Sequence, residues 1–197
     1  MIKRYNHKPD FVSIISVPNH SEHKRKLLYF IEEMIEENNI QLNEKGYYYD
    51  YPLHNVKRTY GDLFKHILKP IVKQHGASMG LKYDKRNENK LPWFQQYLQG
   101  SDFGWHQHDG HFAVVYYVEL PDASESTDFL QYGQFEVKEG DILLFPTFMV
   151  HRSPEITSNK RKTIISTNIS YTVDRDYISH VQKNDKYIDW RDLANKV

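Results

Sequence analysis

Apolar positions follow two different rhythms along this chain of 197 residues, and the change between them divides it. In "PNHSEHKRKLLYFIEEMIEENN", Leu27, Leu28, Ile31, Met34 and Ile35 recur at helical intervals with charged residues between them, which predicts an amphipathic helix. Ser21 is placed to cap its start. A second helical pattern, "YGDLFKHILKPIVKQHG", gathers Leu63, Phe64, Ile67, Leu68, Ile71 and Val72 on one side. Pro70 is expected to kink or split it, and Gly76 to end it. From about residue 91 the rhythm becomes short β-type runs between turn residues: "PWFQQYLQG", "FAVVYYVEL", "QFEVKEGD" with a turn at Gly140, "ILLFPTF" and "KTIISTNISYTV". "PDASEST" reads as a loop. Strands of this length and spacing predict an antiparallel sandwich or barrel, and helices ahead of strands predict helices buttressing one sheet.

The length suits one domain: residues 1–90 as largely helical support, 91–175 as the β core, and 176–197 as a charged C-terminal tail that fits a short external helix. Lys plus Arg equals Asp plus Glu, so the formal charge is zero and gives no sign of a nucleic-acid footprint. The absence of cysteine excludes disulfides, thiolate nucleophiles and thiolate metal ligands. No stretch is apolar for long enough to serve as a signal peptide or membrane span, so a soluble, cytoplasmic protein is expected, with no membrane partner. Fifteen tyrosines in a polar chain point to a modest core with an aromatic-lined cleft, and the sequence says nothing of oligomeric state.

The candidate chemistry sits in "DFGWHQHDGHFAVVYYVELPD". His106 and His108 are two apart, so on a strand both imidazoles would point to one face and share an ion. His151, at the end of the apolar "EGDILLFPTFMVHRSP", is the best third ligand. Two adjacent ligands and a distant one are the arrangement of a facial metal triad that leaves positions open for substrate and dioxygen. His7, His20, His23, His54, His66, His75 and His180 read as ordinary surface or hydrogen-bonded structural residues. No G-x-S-x-G elbow supports a serine hydrolase.

The segments "WHQHDGHFAVVYYVELP", "EGDILLFPTFMVHRSP" and "RKTIISTNIS" together resemble the iron(II)- and 2-oxoglutarate-dependent oxygenases of the prolyl-hydroxylase-like group. The bacterial and phage-type members with an H-x-H motif before a "VYYV" strand are most similar, over residues 95–173 or so. The resemblance implies a mainly β fold with N-terminal helices, a double-stranded β-helix (jelly roll, cupin-like). It assigns His106 and His151 as iron ligands and puts His108 where the group usually has a carboxylate. Either His108 is the second ligand or Asp109 swings in as the carboxylate; strand alternation favours His108. For the far carboxylate of 2-oxoglutarate the group's pattern selects Lys162, with Ser166 and Asn168 on the same face, or Arg161 with Thr163, with a slight preference for Lys162. Tyr97 and Tyr117 are the hydroxyl candidates for that pocket, and His111 is either substrate-facing or on the loop rim, with the rim preferred.

The activity so implied is a dioxygenase, a hydroxylase of a small molecule or protein side chain, with Fe(II), 2-oxoglutarate and dioxygen as cofactors and ascorbate allowed for. Two alternatives stay open: a cupin-type enzyme that uses three histidines without 2-oxoglutarate, and a non-catalytic jelly-roll binding or structural module. The aromatic "GYYYDYPLHNVKRTYGD" either lines the cleft or is a packed connection.

Overall fold

The computed structural model describes residues 8–53, 56–173 and 179. Almost all of the proposed C-terminal tail, together with His7, His54 and His180, lies outside the described residues. The described elements run β1 (Ser13–Ser16), α1 (His20–Glu37), β2 (Tyr47–Tyr49), α2 (Thr59–Ser78), β3 (Leu81–Tyr83), β4 (Trp93–Tyr97), β5 (Phe103–His106) and β6 (Phe112–Glu119). They continue with β7 (Asp128–Phe129), β8 (Gly133–Gln134), β9 (Asp141–Pro146), β10 (His151–Ser153), β11 (Lys162–Ile169) and β12 (Tyr171–Val173). All pairings are antiparallel: a six-stranded sheet in the order β1-β9-β6-β11-β4-β2, a four-stranded sheet β5-β10-β7-β8, and a separate β12-β3 pair. The architecture is a jelly roll, with both helices packed on its larger sheet.

Strands β6 and β9 are almost continuously apolar because both of their faces are covered. In β6, Val114, Tyr116 and Val118 face the helices, whereas Ala113, Val115 and Tyr117 face the interior between the two sheets. The same parity holds in β9, where Ile142 and Leu144 pack outward on the helices and Leu143 and Phe145 inward. In β11, Ile165 and Ile169 join the helix-side core while Ile164 joins the interior. Every other residue of the large sheet therefore points into the roll, and it is that set which builds the site.

Helix α1 buries Leu27, Ile31 and Met34, with Leu28 and Ile35 at the margin of the same cluster, as the periodicity predicts. Its cap differs: Asn19, in the left-handed region at φ 55°, precedes the helix, and Ser21 lies inside the first turn. Helix α2 runs through Pro70, which is exposed on the outer face, where the missing N–H leaves a carbonyl that water can reach. Gly76 does not end it. Gly76 is buried within the helix, and a Cβ there would stand 2.7 Å from the Tyr171 ring, so the glycine permits close packing. The left-handed residue beyond the end is Gly80, at φ 67°.

The first ninety residues hold both helices and also β1 and β2, which form the two edges of the large sheet. One further expectation changes. "QFEVKEGD" contributes only the end of β8, at Gly133–Gln134, before an irregular stretch and the turn at Gly140. No helix among the described residues is long and apolar enough to cross a membrane.

Candidate metal centre

β5 and β10 are neighbours in the small sheet, and their register puts His106 directly opposite His151. Cross-strand partners on one face bring side chains within reach of each other, and here the two ring centroids are 4.2 Å apart. His108 arrives by another route. β5 ends at His106, so strand alternation does not place the third imidazole; the backbone N–H of His108 instead donates to the Thr147 carbonyl at 3.1 Å, which anchors the turn. Its ring then lies 4.8 Å from that of His106 and 5.1 Å from that of His151. Each of the three offers one nitrogen, and these nitrogens all lie within 4.8 Å of one another. His151 also differs from expectation in its setting: it opens β10 in the small sheet, after a turn, and does not end the apolar strand β9.

The outer hydrogen bonds fix which nitrogen is available. His106 Nδ1 lies 2.8 Å from the Gly104 carbonyl and His151 Nδ1 lies 2.8 Å from the Met149 carbonyl. A carbonyl oxygen only accepts, so the proton is on Nδ1 in both rings and Nε2 keeps its lone pair. Burial holds all three imidazoles below the usual histidine range, His108 at about 4 and His151 at about 3, and neighbouring histidines add to the effect on these two. Three neutral, lone-pair-bearing imidazoles at this separation suit Zn, Cu, Fe or Ni, and no other group of three potential ligands occurs among the described residues. Asp109 is exposed and outside that group.

The trio stands at the wall of a cavity of about 250 Å³ between the sheets, lined among others by Tyr49, Trp93, Tyr97, Arg152, Lys162 and Asn168. Sheet parity decides which of the two cation candidates reaches it. Lys162, Ile164, Ser166 and Asn168 alternate along β11 on the interior face. Arg161 precedes them by one residue and is on the other side, ion-paired with Glu119 at 2.8 Å and Glu32 at 3.3 Å, and does not line the cavity. Lys162 is 1% exposed; its Nζ donates to the Glu125 carbonyl and to Ser153 Oγ at 2.8 Å, and lies 5.0 Å from the centre of the Tyr97 ring. Burial in this wall lowers its pKa to about 7, against which the Glu125 carboxylate acts only in part.

Tyr97 lines the cavity, is fully enclosed, and shares a hydrogen bond with Ser153; desolvation raises its hydroxyl well above the normal range. Tyr117 does not line it. Its hydroxyl is 2.7 Å from Thr127 Oγ1 and accepts from the Thr127 N–H at 3.1 Å, so it supports Thr127, which does. Asn168 Oδ1 is buried at the cavity wall with no hydrogen-bond partner among the described residues, which leaves an acceptor for a bound molecule. His111 is spent structurally: its Nδ1 accepts from the Tyr171 N–H at 3.0 Å. His20 and His75 likewise bond tyrosine hydroxyls, of Tyr116 and Tyr171, each at 2.8 Å.

Several lining residues escape a motif reading. Ser153 and Arg152 directly follow His151, and Gln95 and Trp93 are fixed by their parity with Tyr97 on β4. Arg152 pairs with Asp128 at 2.9 Å and stacks 4.5 Å from the Trp105 ring. Tyr49 and Tyr51 come from the aromatic N-terminal stretch and do line the cavity. Buried Asp50 pins the chain between them, accepting from the Phe94 N–H at 2.9 Å and from Arg58 Nε at 2.7 Å.

No protein-family model and no curated protein matches this sequence. Solved structures do. A prolyl-4-hydroxylase from Pseudomonas putida superposes with a TM-score of 0.54 at 11% identity, over 79% of this chain and 90% of that one. A prolyl hydroxylase from Trichoplax adhaerens, in complex with a hypoxia inducible factor peptide fragment, gives a TM-score of 0.58 at 10% identity, over 86% of each chain. HygX from Streptomyces hygroscopicus, with nickel and 2-oxoglutarate bound, gives 0.56 at 10% identity, over 84% of this chain and 83% of the other. The chain thus has the jelly-roll fold of the prolyl-hydroxylase-like oxygenases over about four fifths of its length, at an identity that shows the fold alone.

Proposed function

We propose that this protein is an iron(II)- and 2-oxoglutarate-dependent oxygenase that hydroxylates a substrate held at the mouth of the cavity. One observation carries the reading: the three imidazoles and a buried lysine line the same cavity inside this fold. A three-histidine enzyme that makes no use of 2-oxoglutarate has no need of Lys162, and burying an ammonium is costly unless an anion repays it.

In this reading His106, His108 and His151 hold the ferrous ion, their ring orientations set by the Gly104 and Met149 carbonyls and by the backbone bond of His108. When bound, the ion supplies the oxidation of 2-oxoglutarate by dioxygen to succinate and carbon dioxide, with the second oxygen atom inserted into a substrate C–H bond. Lys162 receives the far carboxylate as a point charge, and Ser153, bonded to that ammonium, and Tyr97, bonded to Ser153, offer hydroxyls beside it. Ala113, Val115 and Ile164 keep the inner wall apolar and exclude water. Tyr49, Tyr51 and Trp93 form an aromatic face beside His108, with Trp93 and His108 rings 5.8 Å apart, suited to an organic ring or a side chain of a peptide.

The direct test is anaerobic addition of ferrous iron and 2-oxoglutarate to purified protein. A weak visible charge-transfer band that needs both components is the expected result. Its absence in wild type, with iron shown to be bound, would remove the cosubstrate assignment.

A further inference from the structure

Among the described residues, the cavity that gathers the imidazoles is lined by no aspartate or glutamate. Two buried carboxylates stand behind its wall: Asp128 Oδ2 pairs with Arg152, and Glu125 Oε1 accepts from the Thr157 N–H at 2.9 Å and the Ser158 N–H at 2.6 Å while its charge offsets that of Lys162 in part. Asp109 is exposed and outside the trio. A divalent ion on three neutral imidazoles therefore keeps both positive charges, in a wall that also holds the ammonium of Lys162. In a poorly solvated site such charges repel strongly, and a carboxylate ligand would have cancelled one of them.

Resting on the 2-oxoglutarate reading of this site, we propose that metal ion and dicarboxylate load as a mutually dependent pair, the ligand supplying the negative charge that the protein omits. Without the anion, the three histidines hold the ion weakly. Without the ion, the anion meets Lys162, the Arg152 guanidinium that Asp128 already pairs, and a set of neutral groups. Coupling of this kind is reciprocal, so each component tightens the other by one and the same factor. An arriving carboxylate also draws a proton onto Lys162, whose buried ammonium is otherwise easily lost. The functional consequence is a protein that is largely metal-free when 2-oxoglutarate is scarce and is assembled by it. A histidine in place of the usual carboxylate thereby makes the cosubstrate part of the metal site.

Calorimetric titration of the full chain with Mn(II), with and without saturating N-oxalylglycine, measures the coupling, and His108→Asp supplies the missing charge at the ligand position. The expected result is a tightening of Mn(II) binding of about 100-fold by N-oxalylglycine in wild type and of less than about tenfold in His108→Asp, the upper and lower parts of the usual range for coupled sites. Equal Mn(II) affinity with and without N-oxalylglycine in wild type overturns the inference while leaving the metal site standing. So does Asp109→Asn if it weakens Mn(II) binding in the absence of the anion, because Asp109 then supplies the charge. Failure of Mn(II) to bind at all, or of N-oxalylglycine to bind the Mn(II)-loaded protein, overturns the 2-oxoglutarate reading itself and is distinguishable from both. If His108→Asp does not fold, wild-type melting curves decide: a Tm shift with both ligands well above the sum of the separate shifts supports the pair, and additive shifts overturn it.

Discussion

Replacing Lys162 by Met is expected to stabilise the empty protein and to disable it. The side chain is 1% exposed, and burial lowers its pKa from 10.5 to about 7. Below about pH 7 both folded and unfolded chains carry the proton, and the folded state bears the full cost of a buried ammonium. As pH rises from about 7 towards 10.5 the unfolded chain retains a proton that the folded chain has shed, so stability climbs across that window. The displacement corresponds to roughly 5 kcal/mol at its upper limit, at about 1.4 kcal/mol per pH unit. Methionine has similar length and no charge, but it leaves the Glu125 carbonyl and Ser153 Oγ without their donor, a loss of about 1–3 kcal/mol. The net gain is on the order of 2 kcal/mol, or about 4–8 °C in Tm for a chain of this size.

The same substitution removes one partner of a buried ion pair once a dicarboxylate is bound. Breaking such a pair costs about 3 kcal/mol or more, so the affinity for N-oxalylglycine in the presence of Mn(II) falls by about 100-fold. Mn(II) binding without the anion is retained, since Lys162 is not among the nitrogen donors. Differential scanning calorimetry at pH 7 and pH 10 tests the first half; the advantage of the variant over wild type shrinks at the higher pH. Calorimetric titration tests the second. A variant that melts below wild type at pH 7, or that binds N-oxalylglycine as tightly as wild type, refutes the reasoning. Arg161→Met is the matched control: its pairs with Glu119 and Glu32 lie outside the cavity, so anion binding is unchanged and stability falls by less than about 1 kcal/mol.

Three other outcomes follow from single contacts. His151→Ala removes a buried imidazole and its bond to Met149, and is expected to abolish Mn(II) binding with N-oxalylglycine present, read as loss of the calorimetric signal in a variant whose melting transition is kept. Gly76→Ala drives a methyl to 2.7 Å from the Tyr171 ring and is expected to cost about 1–3 kcal/mol in urea denaturation, because the overpacked core has only an aromatic edge and the Leu81 carbonyl to displace. Asp50→Ala leaves the buried Arg58 guanidinium without its carboxylate and lowers stability by about 3–5 kcal/mol, and it frees the segment carrying Tyr49 and Tyr51, so any ligand found for the cavity is expected to bind more weakly.

What the chain reveals of itself before folding depends on whether a property is periodic or positional. The cores of α1 and α2 and the doubly buried strands β6, β9 and β11 are periodic, since the same faces recur every turn or every second residue, and they were legible. Caps and stops are positional, and each depends on one dihedral angle. Asn19 and Gly80, at φ 55° and 67°, take the roles that Ser21 and Gly76 suggest on residue type alone. The gathering of the three histidines is legible for a reason that does not hold in detail. The two-residue spacing of His106 and His108 implies one strand face, yet the strand stops at His106 and a bond to Thr147 from the following turn brings His108 round. The choice between Arg161 and Lys162 shows the converse: adjacent cations are equivalent as sequence, and only the interior parity of Ile164, Ser166 and Asn168 assigns the second of them to the cavity. A half-pleat, one residue, separates a solvated ion pair from a buried ammonium. The fold therefore makes the chemistry of this site by register, and a one-residue slip of β11 would exchange the two cations and remove the charge from the cavity.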